Sequence, residues 1–316
     1  MTHQTFSVGR TKNVKKFAWN KRTKRAVFYG VMISIPLVQL AIFYFGVNIN
    51  SILTAFKKYD ISEGKYVWSG FANFSTIFTN FKAVAYFGDM FVRSILGYII
   101  PLAITFIPGL MISFYVYKKM IASRFFRVIL YLPSLFSVLA IALIQKFLVE
   151  DGLPELVMQI TNVKPEGYLS NLDTALWTLI ILQTWFNFCG GIMLYPAAMS
   201  AISQSSIESA QIDGCSIWKE FWHITLPQIY PTIVVILITG MAGIFRADLN
   251  VFNMYGEGAD YSLYTVGYYI YNGTLNATYA DYPFLAALGV FLTLILAPIV
   301  IVVRGLLNKV GPNIER

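Results

Sequence analysis

Long apolar blocks alternate with short polar connections along the chain, and within the blocks the apolar residues are not confined to one helical face. A helix needs about 20 predominantly apolar residues to cross roughly 30 Å of hydrocarbon. Six segments meet or approach that length: 26–49, 94–117, 128–145, 174–195, 228–245 and 283–303. None of them contains Asp, Glu, Lys, Arg or His. A soluble helix would keep a polar face toward water, so the pattern predicts an all-α membrane protein of six transmembrane helices. Pro36, Pro101, Pro108, Pro133, Pro298 and the pair Gly190-Gly191 fall inside these blocks. Such breaks are tolerated where neighbouring helices resatisfy the backbone, which predicts a bundle of kinked helices.

Composition agrees. Of 316 residues 57% are apolar and 13% charged, against roughly 25% charged in soluble domains, and the mean hydropathy is +0.61. No single soluble core hides that much apolar surface, which excludes an ordinary cytoplasmic enzyme. The net charge of +8 acquires meaning from its distribution, because Lys and Arg are retained on the cytoplasmic side of a membrane. With both termini inside, cytoplasmic segments hold 16 of the 24 basic residues and 4 of the 16 acidic ones, +12 inside against −4 outside. The cluster Arg10, Lys12, Lys15, Lys16, Lys21, Arg22, Lys24 and Arg25 therefore reads as a cytoplasmic tail over 1–25, anchored beside anionic lipid and not bound to nucleic acid; residues 26–316 form the transmembrane domain. The two cysteines, Cys189 and Cys215, and the two histidines, His3 and His223, have no metal-ligand spacing. No metal site, disulfide or catalytic set is expected.

The connection over 196–227 is too long for a plain cytoplasmic loop and is patterned as two short helices. Ser200 to Ile212 reads as the first. Asp213-Gly214 supplies the turn, since glycine takes the left-handed conformation that ends a helix. The second runs from Ser216 to Ile224, with Ile217, Phe221 and Ile224 at helical spacing, and ends at Leu226-Pro227. An amphipathic pair at a membrane surface can lie on lipid, cap its own bundle or dock into a partner groove.

Glu208-Ser209-Ala210, Asp213-Gly214, Phe221, Ile224 and Leu226-Pro227 resemble, at every spacing, the Glu-Ala-Ala loop of the membrane subunits of bacterial ATP-binding-cassette importers, departing from it at Ser209 and Cys215. The rest of the chain resembles the first permease subunit of the carbohydrate branch. Gly70-Phe71-Ala72-Asn73-Phe74, Phe125-Phe126-Arg127 with Leu132-Pro133, and Asn253-Met254-Tyr255-Gly256 followed by Thr265 and Tyr269-Ile270-Tyr271 carry that likeness. Glu257-Gly258 stands where Gly-Pro is usual. The resemblance implies a type I importer permease fold with cytoplasmic coupling helices, multi-pass in the bacterial cell membrane, and a non-catalytic role. Its implied partners are a second permease subunit, two ATPases that bind ATP and Mg, and an external solute-binding protein. It implies that Glu208 and Gly214 organise the coupling helices and that Phe221 sits at or beside the ATPase contact. No Gly-x-x-x-x-Gly-Lys-Ser/Thr phosphate loop occurs in the chain, which agrees with nucleotide chemistry residing in a partner.

Sugars are held by aromatic faces together with placed hydrogen-bonding groups. The candidates for a substrate path are Gln183, Trp185 and Asn187 in the fourth block, Arg246, Asp248 and Asn250 after the fifth, and Tyr255. Trp185 is equally a packing residue, and Arg246 with Asp248 equally an interfacial ion pair. An ion-coupled secondary transporter would place ionisable residues within its helices, and the blocks hold none. A glycerol-phosphate-type cargo is the closest competitor to a sugar.

Overall fold

The computed structural model describes residues 20–191 and 194–312. The tail through Trp19, with His3, Arg10, Lys12, Lys15 and Lys16, lies outside the described residues, as do Glu315 and the side chain of Cys189. The chain divides into two compact units, one ending at Leu53 and one beginning at Thr54.

In the first unit, α1 (Lys21–Gln39) passes through a π-helical stretch, Leu40–Val47, into α2 (Asn48–Thr54). Together they make a span of 34 residues, longer at both ends than the expected 26–49. Pro36 is accommodated inside α1, and the wider π geometry follows it, a common site of helix bending.

The second unit opens with an addition to the all-helical expectation, an antiparallel hairpin of β1 (Lys57–Asp60) and β2 (Lys65–Trp68) with Lys57 opposite Trp68. It is stitched to α3 (Ala72–Ala83) by Asn73, whose Nδ2 donates to Ala55 O and Lys57 O at 2.8 and 2.7 Å. Next, α4 (Ala85–Tyr117) begins well before residue 94 and retains Pro101 and Pro108. The third expected span is corrected. It breaks into α5 (Ser123–Leu135) and α6 (Val138–Phe147), which runs through π-helical Leu148–Gly152 into α7 (Leu153–Thr161). The two arms meet at 102°. Pro133 lacks the donor that would continue the ladder, Phe136 turns extended, and Ser137 starts the next helix by accepting from Ala140 N at 3.1 Å, an N-cap that competes with continuation.

The fourth block is α8 (Leu172–Gly191), followed by α9 (Leu194–Met199). Among the described residues four helices are long and apolar enough to cross a membrane, and the bent pair makes a fifth. The remaining expected span, α8, has 20 residues but is diluted by Gln183, Thr184 and Asn187. The expected helical pair appears as α10 (Gln204–Ile212) and α11 (Ile217–Glu220). Helix two does not stop at Leu226-Pro227: α11 continues through π-helical Phe221–Thr225 into α12 (Leu226–Ala242) as one run of 26 residues. Proline is tolerated in a first helical turn, and the π turn just before it gives the ring room. Then α13 (Val251–Tyr255), α14 (Val266–Leu275) and α15 (Tyr282–Val310) complete the unit.

Three buried clusters hold it together. Ala142, Leu179, Val251 and Tyr268 centre one where α6, α8, α13 and α14 meet. Ile77, Phe87, Met90 and Leu288 join α3, α4 and α15. Leu110, Phe114, Met199, Phe221 and Ile233 lock the end of α4 to α9 and α12, and it is this third cluster that positions the 204–220 segment.

Candidate functional site

Two features gather the residues singled out in the sequence. The first is the segment 204–220. Helix α10 ends through Asp213 into Gly214, whose φ is +73°. The Gly214 N–H donates to Gln211 O at 3.1 Å and the Cys215 N–H to Ala210 O at 2.9 Å, the paired bonds of a Schellman termination. A Cβ at Gly214 meets no atom within 4 Å, so the requirement for glycine comes from the left-handed backbone and not from crowding. Ser216 then caps α11 by accepting from Lys219 N at 3.4 Å. Ile207 is buried; Glu208, Ser209, Asp213 and Gly214 are exposed and Ala210 half-buried. Gln204 Nε2 donates to Glu208 Oε1 at 3.1 Å. Ile224, Leu226 and Pro227 are half-buried along the run into α12.

Phe221 is only 2% exposed and packs on Phe114, ring centroids 5.1 Å apart. It therefore packs into this chain's own core and supports the segment from behind. Beside it lies a contact that sequence patterning missed. Lys118 Nζ donates to both carboxylate oxygens of Glu220 at 2.8 and 3.0 Å, with the Glu220 side chain 3% exposed. The pair ties the loop after α4 to α11, 102 residues along the chain. The only available signal was an acidic residue on the apolar stripe of the second helix.

The second feature is a string of polar side chains. Gln183 Nε2 donates to Asn187 Oδ1 at 2.9 Å on one face of α8. Asn250 Nδ2 donates to Gln183 Oε1 at 3.4 Å, Asn253 Nδ2 to Asn250 Oδ1 at 3.0 Å, and the Asn250 N–H to Asp248 Oδ1 at 3.1 Å. Of the path candidates, Gln183, Asn187, Asp248 and Asn250 are thus brought together, and Asn253 joins them. The turn that presents them is unusual, with Leu249 and Asn250 both left-handed at φ +54° and +58°, a conformation costly for a bulky residue. Packing holds it there. A Cβ at Gly97 of α4 would lie 2.7 Å from Leu249 Cδ2, and one at Gly267 of α14 would lie 2.5 and 2.6 Å from the carbonyl oxygens of Arg246 and Ala247. Neither glycine was distinguishable in the sequence, because close approach leaves no local pattern.

The other three candidates stand apart. Trp185 follows Gln183 by two residues, about 200° around an α-helix, and is 46% exposed on the side of α8 away from the string. Arg246 lines a separate cavity of about 450 Å³ with Tyr271, Thr274 and Thr293, and none of the ion pairs among the described residues joins it to Asp248. Tyr255 donates its hydroxyl to Leu169 O at 2.7 Å. Burial above all, with the nearby Glu150 charge, pushes its phenol up to about 12, so it remains a protonated structural donor at neutral pH. If the string lines the substrate path expected from the sequence, Asn250→Ala, which removes its central amide, lowers transport about tenfold or more, whereas Trp185→Ala changes it less than twofold; initial uptake rates at matched membrane abundance decide, and the reverse order would favour Trp185 as the path residue.

The chain is similar to known proteins in family and in fold. A family model described as "Binding-protein-dependent transport system inner membrane component" matches residues 109–316. The chain is 25% identical over 224 residues to the probable starch degradation products transport system permease protein AmyD of Thermoanaerobacterium thermosulfurigenes, 71% of this chain and 75% of that one. It is 23% identical over 263 residues to the multiple sugar-binding transport system permease protein MsmF of Streptococcus mutans serotype c, 82% and 88% of the two chains. Its fold is similar to a solved chain of a bacterial ABC transporter involved in the import of the acidic polysaccharide alginate, with a TM-score of 0.75 and 22% identity over 92% of this chain and 99% of that one.

Proposed function

The chain belongs to the family of binding-protein-dependent transport system inner membrane components, and from that premise we propose that it is one transmembrane half of an ATP-driven sugar or oligosaccharide importer. A second permease subunit completes the path, an external solute-binding protein delivers cargo, and two cytoplasmic ATPases supply ATP and Mg chemistry. The carrying observation is the exposed helix–turn–helix over 204–220 together with its mounting. Glu208 and the Asp213-Gly214 turn offer a rigid polar surface for an ATPase groove, while Lys118, Glu220 and Phe221 fasten that surface to the bundle.

Its continuity with α12 supports a mechanism. The run of 26 residues from Ile217 to Ala242 spans about 40 Å at 1.5 Å per residue, leading from the coupling turn to the turn that presents Asp248 and Asn250. Movement imposed at one end by closure of the ATPases reaches the other as a rigid-body shift, switching the path between inward-facing and outward-facing. The string favours a hydroxyl-rich, uncharged cargo. Each primary amide offers a donor and an acceptor, and hydroxyls can be exchanged along such a row without a counterion. A polyol phosphate calls for cationic groups, and Arg246 lies outside the string. The names of AmyD and MsmF support the same cargo class.

The test is recovery of the tagged chain from its native membranes in mild detergent. A second permease and an ATPase are expected to co-purify, with the ATPase lost from Glu208→Ala; recovery of the chain alone under conditions that preserve a known complex would overturn the assignment. Orientation has its own measurement. Cys215, half-buried in the segment, is expected to react with a membrane-impermeant maleimide in inside-out vesicles only, in a Cys189→Ser background. Labelling in right-side-out vesicles would reverse the topology.

A further inference from the structure

The arm formed by α6 and the π-helical stretch after it carries three polar side chains that a membrane span does not need, and each is hydrogen-bonded to the main chain of another segment. Gln145, 3% exposed, donates from Nε2 to Leu182 O of α8 at 3.4 Å, one residue before Gln183. Lys146 donates from Nζ to Met254 O of α13 at 2.6 Å, one residue after Asn253. Neighbouring residues of an α-helix point about 100° apart, so one turn of α6 reaches both elements. One turn further on, Glu150 Oε1 accepts from Leu169 N and Ser170 N at 2.7 and 2.9 Å, and its Oε2 accepts from Ser170 Oγ at 2.6 Å, at the entry to α8. A Cβ at Gly167 would collide with that carboxylate. Neither Lys146 nor Glu150 joins an ion pair among the described residues.

The polar string crosses between the same two elements, from Gln183 on α8 to Asn250 and Asn253 at α13. We propose that Gln145, Lys146 and Glu150 are positioning residues of the substrate path, fixing the spacing of α8 and α13 at which the string binds a hydroxyl-rich cargo. The consequence for cargo rests on the function proposed above. A cargo hydroxyl entering the string displaces the bond from Asn250 to Gln183, the string's own link between the two elements. The bonds from Gln145 and Lys146 end on backbone carbonyls, so that exchange leaves them intact and the amides free to turn toward cargo. Preorganisation of this kind strengthens binding, because the site is not reordered when it is filled. Tyr255 completes the frame through its bond to Leu169 O, beside the backbone that Glu150 holds.

The test has two arms. In native membranes, Gln183→Cys with Asn250→Cys, in a Cys189→Ser, Cys215→Ser background, is linked by a short bifunctional methanethiosulfonate, and the linking rate reads the spacing of the two elements directly. Lys146→Met and Gln145→Leu are each expected to slow linking about tenfold, whereas Lys146→Arg, which can still donate to Met254 O, stays within about twofold of the parent. In the second arm the assembled transporter, with positions 183 and 250 intact, takes up maltotriose. Lys146→Met is expected to raise the apparent KM about tenfold while changing Vmax less than twofold, and to have no further effect in an Asn250→Ala background, since the string that it positions is already broken. Parental linking rates in Lys146→Met and Gln145→Leu would overturn the proposal. So would a loss confined to Vmax, a loss that Lys146→Arg fails to repair, or full additivity with Asn250→Ala. Absence of maltotriose uptake by wild type counts against the cargo class alone, and the linking rates then decide the positioning role by themselves.

Discussion

Glu220→Ala is expected to abolish uptake and to lower the stability of the purified chain by about 3–5 kcal/mol, the usual consequence of stranding one member of a buried ion pair. Its carboxylate is almost fully enclosed and meets Lys118 through both oxygens, so alanine leaves the ammonium without a partner and the loop after α4 without its tether to α11. On the importer function proposed above, the coupling turn would then move independently of the bundle, and the force applied by an ATPase would be lost at that joint. The double replacement Lys118→Met with Glu220→Leu separates the two effects. A buried pair exchanged for apolar side chains of similar volume is often neutral for stability, so the double variant should recover folding, and its uptake reports whether the joint needs charge or only contact. Thermal unfolding of the detergent-purified chain and initial uptake rates are the measurements. Wild-type stability and uptake in Glu220→Ala would remove the joint from the mechanism. Glu208→Ala is expected to behave differently, since its side chain is exposed: folding is retained and only the ATPase association is lost.

Gly267→Ala carries the second largest effect. A methyl there would stand 2.5 and 2.6 Å from two carbonyl oxygens of the 246–247 backbone, and backbone cannot rotate aside as a flexible side chain does. Overpacking of this kind costs about 1–3 kcal/mol, occasionally more. The strain is relieved by displacing α14 or the turn it supports, which carries the left-handed Leu249 and Asn250. Loss of the Asn250 to Gln183 contact is therefore expected along with the stability loss, and uptake should fall at least tenfold even where the chain still reaches the membrane. Gly289→Ala on α15 is the matched control, because a Cβ there meets nothing within 4 Å. Equal behaviour of the two variants would mean that α14 does not hold the turn.

Much of the protein was legible in its sequence because the information is local. Block length and the absence of charge pointed to four helices that the structure shows long and apolar enough to span, since hydrocarbon thickness sets helix length, while the third block is bent and α8 falls short. Asp213-Gly214 announced the termination of α10, since only glycine enters the left-handed region at little cost. Proline was the less reliable sign. Pro36, Pro101 and Pro108 are absorbed, Pro133 precedes a break of 102°, and Pro227 fails to end a helix that continues from Ile217 to Ala242. The outcome depends on what competes for the same backbone groups: a Ser137 cap in one case, a π turn in another.

The sequence by itself thus determined which segments are apolar enough to span, where one helix must turn, and which loop bears the family pattern. The tertiary structure alone decided which polar residues meet. It joined Gln183 to Asn250 across 67 residues and Lys118 to Glu220 across 102, turned Trp185 away from the string, and set Phe221 inside the core. Helical period and turn chemistry act over a few residues and are written in order along the chain. Contacts between distant segments depend on how helices pack, and there the deciding positions are small residues such as Gly97 and Gly267, which act by the side chain they lack.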